Sequence, residues 1–203
     1  MIRVVVVDDH PVAAAGVVAA LADAGDIEVV GTARTLAEIE PLVAAARPDV
    51  ILCDIQLGQE RTLDLPRLLV SPAPPVIFFT SYDYPSYIRA ALDAGAAGFV
   101  VKSAPLADVV AAIRSVAGGG TAYASRDLRN ARKAPRIPSS RELQVISLVA
   151  TGISNAEIGL ALGIDERTVE SHLRRLFDRY GADSRTELVT YSAHAGWIDL
   201  NAE

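Results

Sequence analysis

A doubly wound, flavodoxin-like five-stranded parallel α/β domain, followed by a separate all-α domain of four helices, is the fold class this sequence predicts. Three observations carry it. Over residues 1–118, five short β-branched runs alternate with amphipathic Ala/Leu/Val-rich stretches. Gly118-Gly119-Gly120 and a polar, basic stretch then interrupt the pattern. From Ser139 onward the apolar spacing is helical. Alternating strands and helices imply a parallel sheet covered on both faces. Right-handed crossovers leave few topologies, and the doubly wound order is the natural one.

The strands are predicted near 2–7, 27–31, 49–53, 76–80 and 98–101, each an apolar run rich in Val, Ile or Phe. Helices are predicted near 11–23, 35–46, 61–70, 85–94 and 105–117. Residues 119–138 read as an interdomain linker with room for a short helix: Pro135 and Pro138 bracket its end, and Arg126, Arg129, Arg132, Lys133 and Arg136 make it basic. That charge fits plain solvation and contact with DNA phosphates about equally. In the second domain, 139–203, helices are predicted over 140–150, 155–162, 166–180 and 185–195. Three of them start at capping boxes, Ser139 with Glu142, Ser154 with Glu157 and Ser184 with Glu187; Asp165 is the N-cap of the fourth.

The chain has 203 residues and 51% hydrophobic composition, yet charges or glycines break every apolar run well short of a membrane span. The start lacks the layout of a secretory signal. Cys53 is the only cysteine, which excludes an internal disulfide and fits a reducing cytoplasm. Its place inside an apolar strand makes it a buried, inert thiol. Residues 1–120 hold 8 Lys+Arg against 14 Asp+Glu, net −6, and residues 121–203 hold 11 against 11. Neither half is basic enough for composition alone to indicate nucleic-acid binding.

Four of the five strands end on residues suited to phosphate and magnesium chemistry. The first runs into Asp8-Asp9, the third into Asp54, the fourth into Thr80 and the fifth into Lys102. Carboxyl ends of parallel strands line one rim, where ligands bind. Asp8, Asp9 and Asp54 supply the oxygens a hard divalent cation (Mg2+) prefers. Lys102 can pair with a carboxylate at rest and a phosphoryl group later, and Thr80 can donate to a phosphoryl oxygen. Polar strand ends are common in α/β proteins, so one aspartate alone would mean little; five suitable residues on four strands are a different matter.

With these residues in place, residues 1–118 resemble the receiver domain of two-component response regulators. The matching stretches are Val-Asp-Asp-His-Pro (7–11), Asp-Val-Ile-Leu-Cys-Asp (49–54), Ile-Phe-Phe-Thr-Ser (77–81) and Ala-Gly-Ala-Ala-Gly-Phe-Val-Val-Lys (94–102). The resemblance implies that Asp54 is the phosphoacceptor. It implies that Asp8, Asp9, Asp54 and the backbone carbonyl of Gln56 hold magnesium. It further implies that Lys102 contacts the phosphoryl group and that Thr80 and Phe99 form a switch pair. There are departures: Gly58 and Ser103 stand where many receivers have proline, and Tyr82, Tyr84 and Tyr87 crowd the segment after Thr80.

Residues 155–173 place a short helix, a Gly-containing turn and a second helix in succession, a helix-turn-helix layout. Residues 139–197 resemble the LuxR-type DNA-binding domain of the NarL/FixJ group, through Ser-Arg-Glu-Leu (140–143), Gly-Ile-Ser-Asn-Ala-Glu-Ile (152–158), Thr-Val-Glu-Ser-His-Leu (168–173) and Ser-Arg-Thr-Glu-Leu (184–188). The resemblance implies DNA contacts from about Thr168 to Arg175. Glu170, Ser171 and Arg174 are expected to point outward, and Val169, Leu173 and Leu176 inward. The DNA-contact set is then Thr168, Glu170, Ser171, Arg174 and Arg175. Glu170 stands where many relatives carry Lys; a carboxylate can accept from a cytosine amine but repels phosphate. His172 reads as a packing or phosphate-facing imidazole in preference to a base reader. Leu188, Val189, Tyr191 and Ser192, near Trp197, fit either a dimer face or burial within the domain.

The expected function is a phosphorylation-controlled, DNA-binding transcription regulator in the cytoplasm. A sensor histidine kinase and double-stranded DNA are its partners, and it pairs as a homodimer when phosphorylated. One rival is a DNA-binding regulator whose receiver is a phosphorylation-independent platform; an incomplete pocket would favour that, and the pocket is complete. The other is a magnesium-dependent phosphohydrolase. Such enzymes typically separate two acids by one residue on the first strand, whereas here the acids are adjacent. No Gly-rich phosphate loop or nucleophile-elbow serine appears either, so the chain is read as no enzyme.

Overall fold

The computed structural model describes residues 1–58 and 60–198. Gln59 in the loop after Asp54, the last five residues of the second domain and the side chain of Arg126 lie outside the described residues. The chain divides into two compact units, Met1–Arg132 and Lys133–Glu203.

The first unit runs β1 (Ile2–Val7), α1 (Pro11–Ala22), β2 (Ile27–Ala33), α2 (Leu36–Ala46), β3 (Val50–Cys53), β4 (Gln56–Leu57), β5 (Glu60–Arg61), α3 (Leu65–Leu68), β6 (Val76–Thr80), α4 (Pro85–Ala94), β7 (Gly98–Val101), α5 (Leu106–Ala117) and α6 (Ser125–Ala131). Five strands form a parallel sheet in the order β2-β1-β3-β6-β7, the flavodoxin-like order. Helices cover both faces, so central strands are apolar on both sides. This is why Val4 to Val7 need no polar alternation; all four are buried. On one face Val4, Val6, Leu52, Ile77 and Phe79 pack with Leu21 of α1 and with Val109, Ile113 and Val116 of α5.

Three features depart from the sequence-based expectation. Directly after Asp54 the chain forms a small antiparallel hairpin, β4 with β5. Consequently α3 spans Leu65–Leu68 and not the expected 61–70. The hairpin occupies its start, Leu69 turns to an extended backbone, and Pro72, Pro74 and Pro75 follow, which cannot continue a helix.

The third departure lies in the segment read as linker. Its first part belongs to the first compact unit. After α5, Ala122 bridges to Gly98, donating to Ala97 O at 2.8 Å while its carbonyl accepts from Phe99 N–H at 2.9 Å. Tyr123 donates its hydroxyl to Ala96 O at 2.8 Å. The strap therefore lies along the outer side of β7, and α6 then packs against α4 with Ala131 fully buried. Gly98 makes the approach possible: a Cβ there would lie 2.8 Å from the Ala122 Cβ and 3.1 Å from its carbonyl oxygen.

The second unit holds α7 (Ser140–Ala150), α8 (Asn155–Leu162), α9 (Glu166–Tyr180) and α10 (Arg185–His194). Complete capping boxes start α7 and α8. The third expected box is half formed: Ser184 accepts from Glu187 N–H, but Glu187 accepts from Asp183 N–H instead of Ser184. Asp165 holds the N-cap position of α9 without a side-chain cap bond. Val145, Ile146, Val149, Ile158, Val169, Leu173, Leu176 and Leu188 are the buried centre. Trp197 stacks obliquely on Tyr180 and Tyr191, with centroids 4.7 and 5.2 Å apart, and is buried together with Ser192. Of the two readings for that group, burial within the domain accounts for Leu188, Ser192 and Trp197.

Candidate functional site

Asp8 and Asp9 follow β1, Asp54 follows β3, Thr80 closes β6 and Lys102 follows β7. The parallel register brings these ends to one rim, so a set dispersed over 95 residues of sequence meets in space. Lys102 Nζ donates to Asp8 Oδ2 and to Asp54 Oδ2, both at 2.6 Å. Asp8 and Asp54 are buried, so the ammonium they share offsets part of the repulsion between two carboxylates in a poorly solvated site. Burial disfavours the Lys102 charge, yet hydrogen bonds to Asp54 and Asp8 outweigh it and hold the ammonium above the ordinary lysine value.

Backbone amides fix the carboxylates. His10 N–H donates to Asp8 Oδ1 at 2.9 Å, Gly58 N–H to Asp9 Oδ2 at 2.8 Å and Gln56 N–H to Asp54 Oδ1 at a long 3.4 Å. Burial pushes the Asp9 carboxyl up, but the Gly58 amide and His10 bring it below the ordinary aspartate value. Gly58 explains its own presence: it sits at φ 58°, in the left-handed region, and donates an N–H. Proline, held near −65° and lacking that donor, could do neither.

One oxygen is left over. Asp9 Oδ1 is buried and accepts no hydrogen bond; His10 Nδ1 lies 2.8 Å away but outside hydrogen-bonding geometry. Ligand atoms of Asp8, Asp9, His10 and Asp54 lie within 4.8 Å of one another. An oxygen-dominated set with an unsatisfied carboxylate oxygen fits a hard divalent cation.

Thr80 and Phe99 share one face of the sheet. Thr80 is opposite Val101 in the register and Phe99 opposite Phe78, so both side chains project from one sheet face. Ile77, Phe79 and Val100 belong to the opposite face, with α5. Thr80 is fully buried, with its Oγ1 3.4 Å from Tyr82 N, and Phe99 is buried too. Tyr82 stacks on Tyr87 at 5.0 Å, and the Arg61 guanidinium lies 5.8 Å from the Tyr87 ring centre. The tyrosine cluster thus ties the hairpin to α4.

Sequence reasoning missed Thr62, whose hydroxyl donates to the Asp54 carbonyl at 2.5 Å. Only the hairpin brings it there, and no motif marks it. It also passed over His10, although its place directly after paired aspartates and before a helix was visible. Cys53 behaves as expected: burial pushes its thiol up to about 12.

In the second unit, Val169, Leu173 and Leu176 of α9 face the core, while Thr168, Glu170, Ser171, Arg174 and Arg175 are exposed. Arg175 is drawn to its own helix, donating to Ser171 O and approaching His172 Nδ1, both at 3.3 Å. Other basic residues hold the domain together: Arg141 binds Leu162 O at 2.6 Å, Arg179 binds Glu142 at 3.0 Å, and Arg185 binds Asn155 Oδ1 at 3.2 Å. Among the described residues no helix is long and apolar enough to cross a membrane.

Comparison with known proteins agrees with both halves. Residues 4–114 match the response regulator receiver domain family, and residues 138–192 match the LuxR family of bacterial regulatory proteins. The transcriptional regulatory protein MctR of Rhizobium johnstonii is 32% identical over 205 residues, covering 97% of this chain and 95% of that one. The oxygen regulatory protein NreC of Staphylococcus aureus is 30% identical over 208 residues, covering 94% and 96%. Among solved structures, the response regulator ChrA of a heme-sensing two-component system aligns with a TM-score of 0.57 at 32% identity, over 97% of this chain and 98% of that one. The chain therefore belongs to the response regulators that join a receiver domain to a LuxR-type helix-turn-helix, and is a DNA-binding transcription regulator under phosphorylation control.

Proposed function

We propose that Asp54 is the phosphoacceptor, charged by a sensor histidine kinase. The observation that carries this is the single ammonium of Lys102 held 2.6 Å from both Asp54 and Asp8. An Asp54 carboxylate oxygen forms a bond to phosphorus while the phosphorus–nitrogen bond to the kinase histidine breaks. Lys102 then transfers its contact from the carboxylate to a phosphoryl oxygen, a charge-assisted bond of the same kind. Thr80, at the end of the adjacent strand β6, donates its hydroxyl to a second phosphoryl oxygen.

Asp8, Asp9, Asp54 and the backbone carbonyl of Gln56 are the proposed magnesium ligands, and the unsatisfied Asp9 oxygen supports the assignment. When bound, the ion neutralises charge that builds on the phosphoryl oxygens. The named relatives are regulators, which favours retention of the phosphoryl group over hydrolytic turnover. The exposed positions Thr168, Glu170, Ser171, Arg174 and Arg175 are the proposed DNA contacts, and the phosphorylated chain is proposed to bind as a dimer. A cytoplasmic location follows from these partners.

The test is intact-mass spectrometry after acetyl phosphate and magnesium treatment. The native chain should gain about 80 Da, one phosphoryl group. Asp54→Ala should gain none, and Asp9→Ala little, through loss of a metal ligand. An undiminished adduct on Asp54→Ala refutes the assignment.

A further inference from the structure

We infer that Glu170 reads the exocyclic amine of a cytosine in each operator half-site. The inference rests on the reading of α9 as the helix that enters the major groove. Val169, Leu173, Leu176 and Tyr180 make a buried stripe along α9, and Glu170 and Arg174 stand clear of it, one turn apart and exposed. Among the described residues neither Glu170 nor Arg174 is in an ion pair, although their spacing allows one. Arg175 and Arg179, by contrast, are engaged within the domain. The two unengaged head groups therefore offer the groove one acceptor and one fork of donors.

Charge makes the choice sharp. Arg167, Arg174, Arg175 and Arg179 of this helix are balanced by Glu166, Glu170 and Asp178 once the N-cap Asp165 is counted with them. No surplus of positive charge offsets the repulsion that a carboxylate meets near two phosphate backbones. Glu170 in the groove must then meet a donor, and only the amines of cytosine and adenine provide one there. Adenine sets its N7 acceptor beside its amine, which repels a carboxylate. Cytosine presents its amine with no acceptor on the same edge. Arg174, one turn on, suits the paired acceptors of a guanine. The helix face thus calls for G·C pairs, with cytosine under Glu170 and guanine under Arg174.

The experiment is selection from a random duplex pool by the full chain treated with acetyl phosphate and magnesium. Native protein, Glu170→Gln and Glu170→Ala are run in parallel. The Glu170 side chain is exposed and makes no contact the fold needs, so the variants fold. The native chain should enrich a cytosine at one fixed position of each half-site. Glu170→Gln should change that position to adenine, whose amine and N7 match an amide, and leave the rest of the motif intact. Glu170→Ala should accept all four bases there. In titrations, replacing that cytosine should weaken the native chain roughly five- to hundredfold and leave Glu170→Ala nearly indifferent.

The same cytosine under all three proteins overturns the inference and leaves DNA binding by α9 standing. Uniformly tighter binding by Glu170→Ala, with an unchanged motif, overturns it too, and makes Glu170 a repulsive group only. A native chain that enriches no motif refutes the groove-helix reading itself, and the inference with it.

Discussion

At the scale of single residues, the pocket is built from short contacts to main-chain amides, and this makes Gly58 as consequential as the aspartates. Its N–H holds Asp9 Oδ2 at 2.8 Å, and its φ of 58° aims that N–H inward. Gly58→Pro removes the donor and demands the wrong φ. We expect a loss of about 1–3 kcal/mol in stability, read as a lower denaturant midpoint. Magnesium affinity should weaken too, read by titration of the unphosphorylated chain. Unchanged affinity would mean that Asp9 is positioned without Gly58. The aspartates, Thr80 and Lys102 were legible in the sequence because each ends an apolar run, and a parallel sheet gathers strand ends. Thr62 was not, since its contact with the Asp54 carbonyl depends on a hairpin of two residues per strand, too short to show a period of two.

At the scale of elements, the helix starts of the second domain were legible from their caps, and one cap has a measurable pH signature. Burial pushes the Glu142 carboxyl up, but the Ser139 amide and the Arg179 guanidinium bring it below the ordinary value of 4.5. A depressed folded value means that the stabilisation is fully present above pH 4.5 and is lost as pH falls through the lower folded value. Glu142→Gln keeps the cap's shape without its charge. It should cost about 0.5–1 kcal/mol at neutral pH and flatten the fall in stability on the acid side. Trp197, the only tryptophan, is buried in this domain, so its fluorescence reports on this unfolding alone. An unchanged acid slope in the variant would remove Glu142 as the cause. The boundary of the first domain was harder to read. Thr121-Ala122-Tyr123 carries no periodic pattern, and what places it is room on β7 beside Gly98. A vacancy opposite a glycine is a property of two distant segments at once.

At the scale of the whole molecule, a near-neutral helix-turn-helix makes few phosphate contacts, so two units on adjacent half-sites are expected to bind far better than one. Phosphorylation should raise DNA affinity mainly by promoting dimers. Thr80 and Phe99, buried on one sheet face, are the proposed carriers: the hydroxyl moves toward the phosphoryl group and frees space for the ring. Thr80→Ala should accept phosphate normally, by intact mass, yet show a weak gain in both sedimentation and DNA titration. A chain that stays monomeric when phosphorylated and still binds more tightly refutes the dimer route.

The strap beside β7 also bears on how this protein can be divided. Without it, β7 becomes an open sheet edge, with Phe99 N–H and Ala97 C=O unpaired next to apolar side chains. Such edges recruit further strands and aggregate. A receiver fragment ending at residue 118 would carry that liability, whereas one ending after Arg132 keeps its own edge guard. The first part of the segment between the domains is thus a selvage, finishing the sheet so that it does not fray into its neighbours.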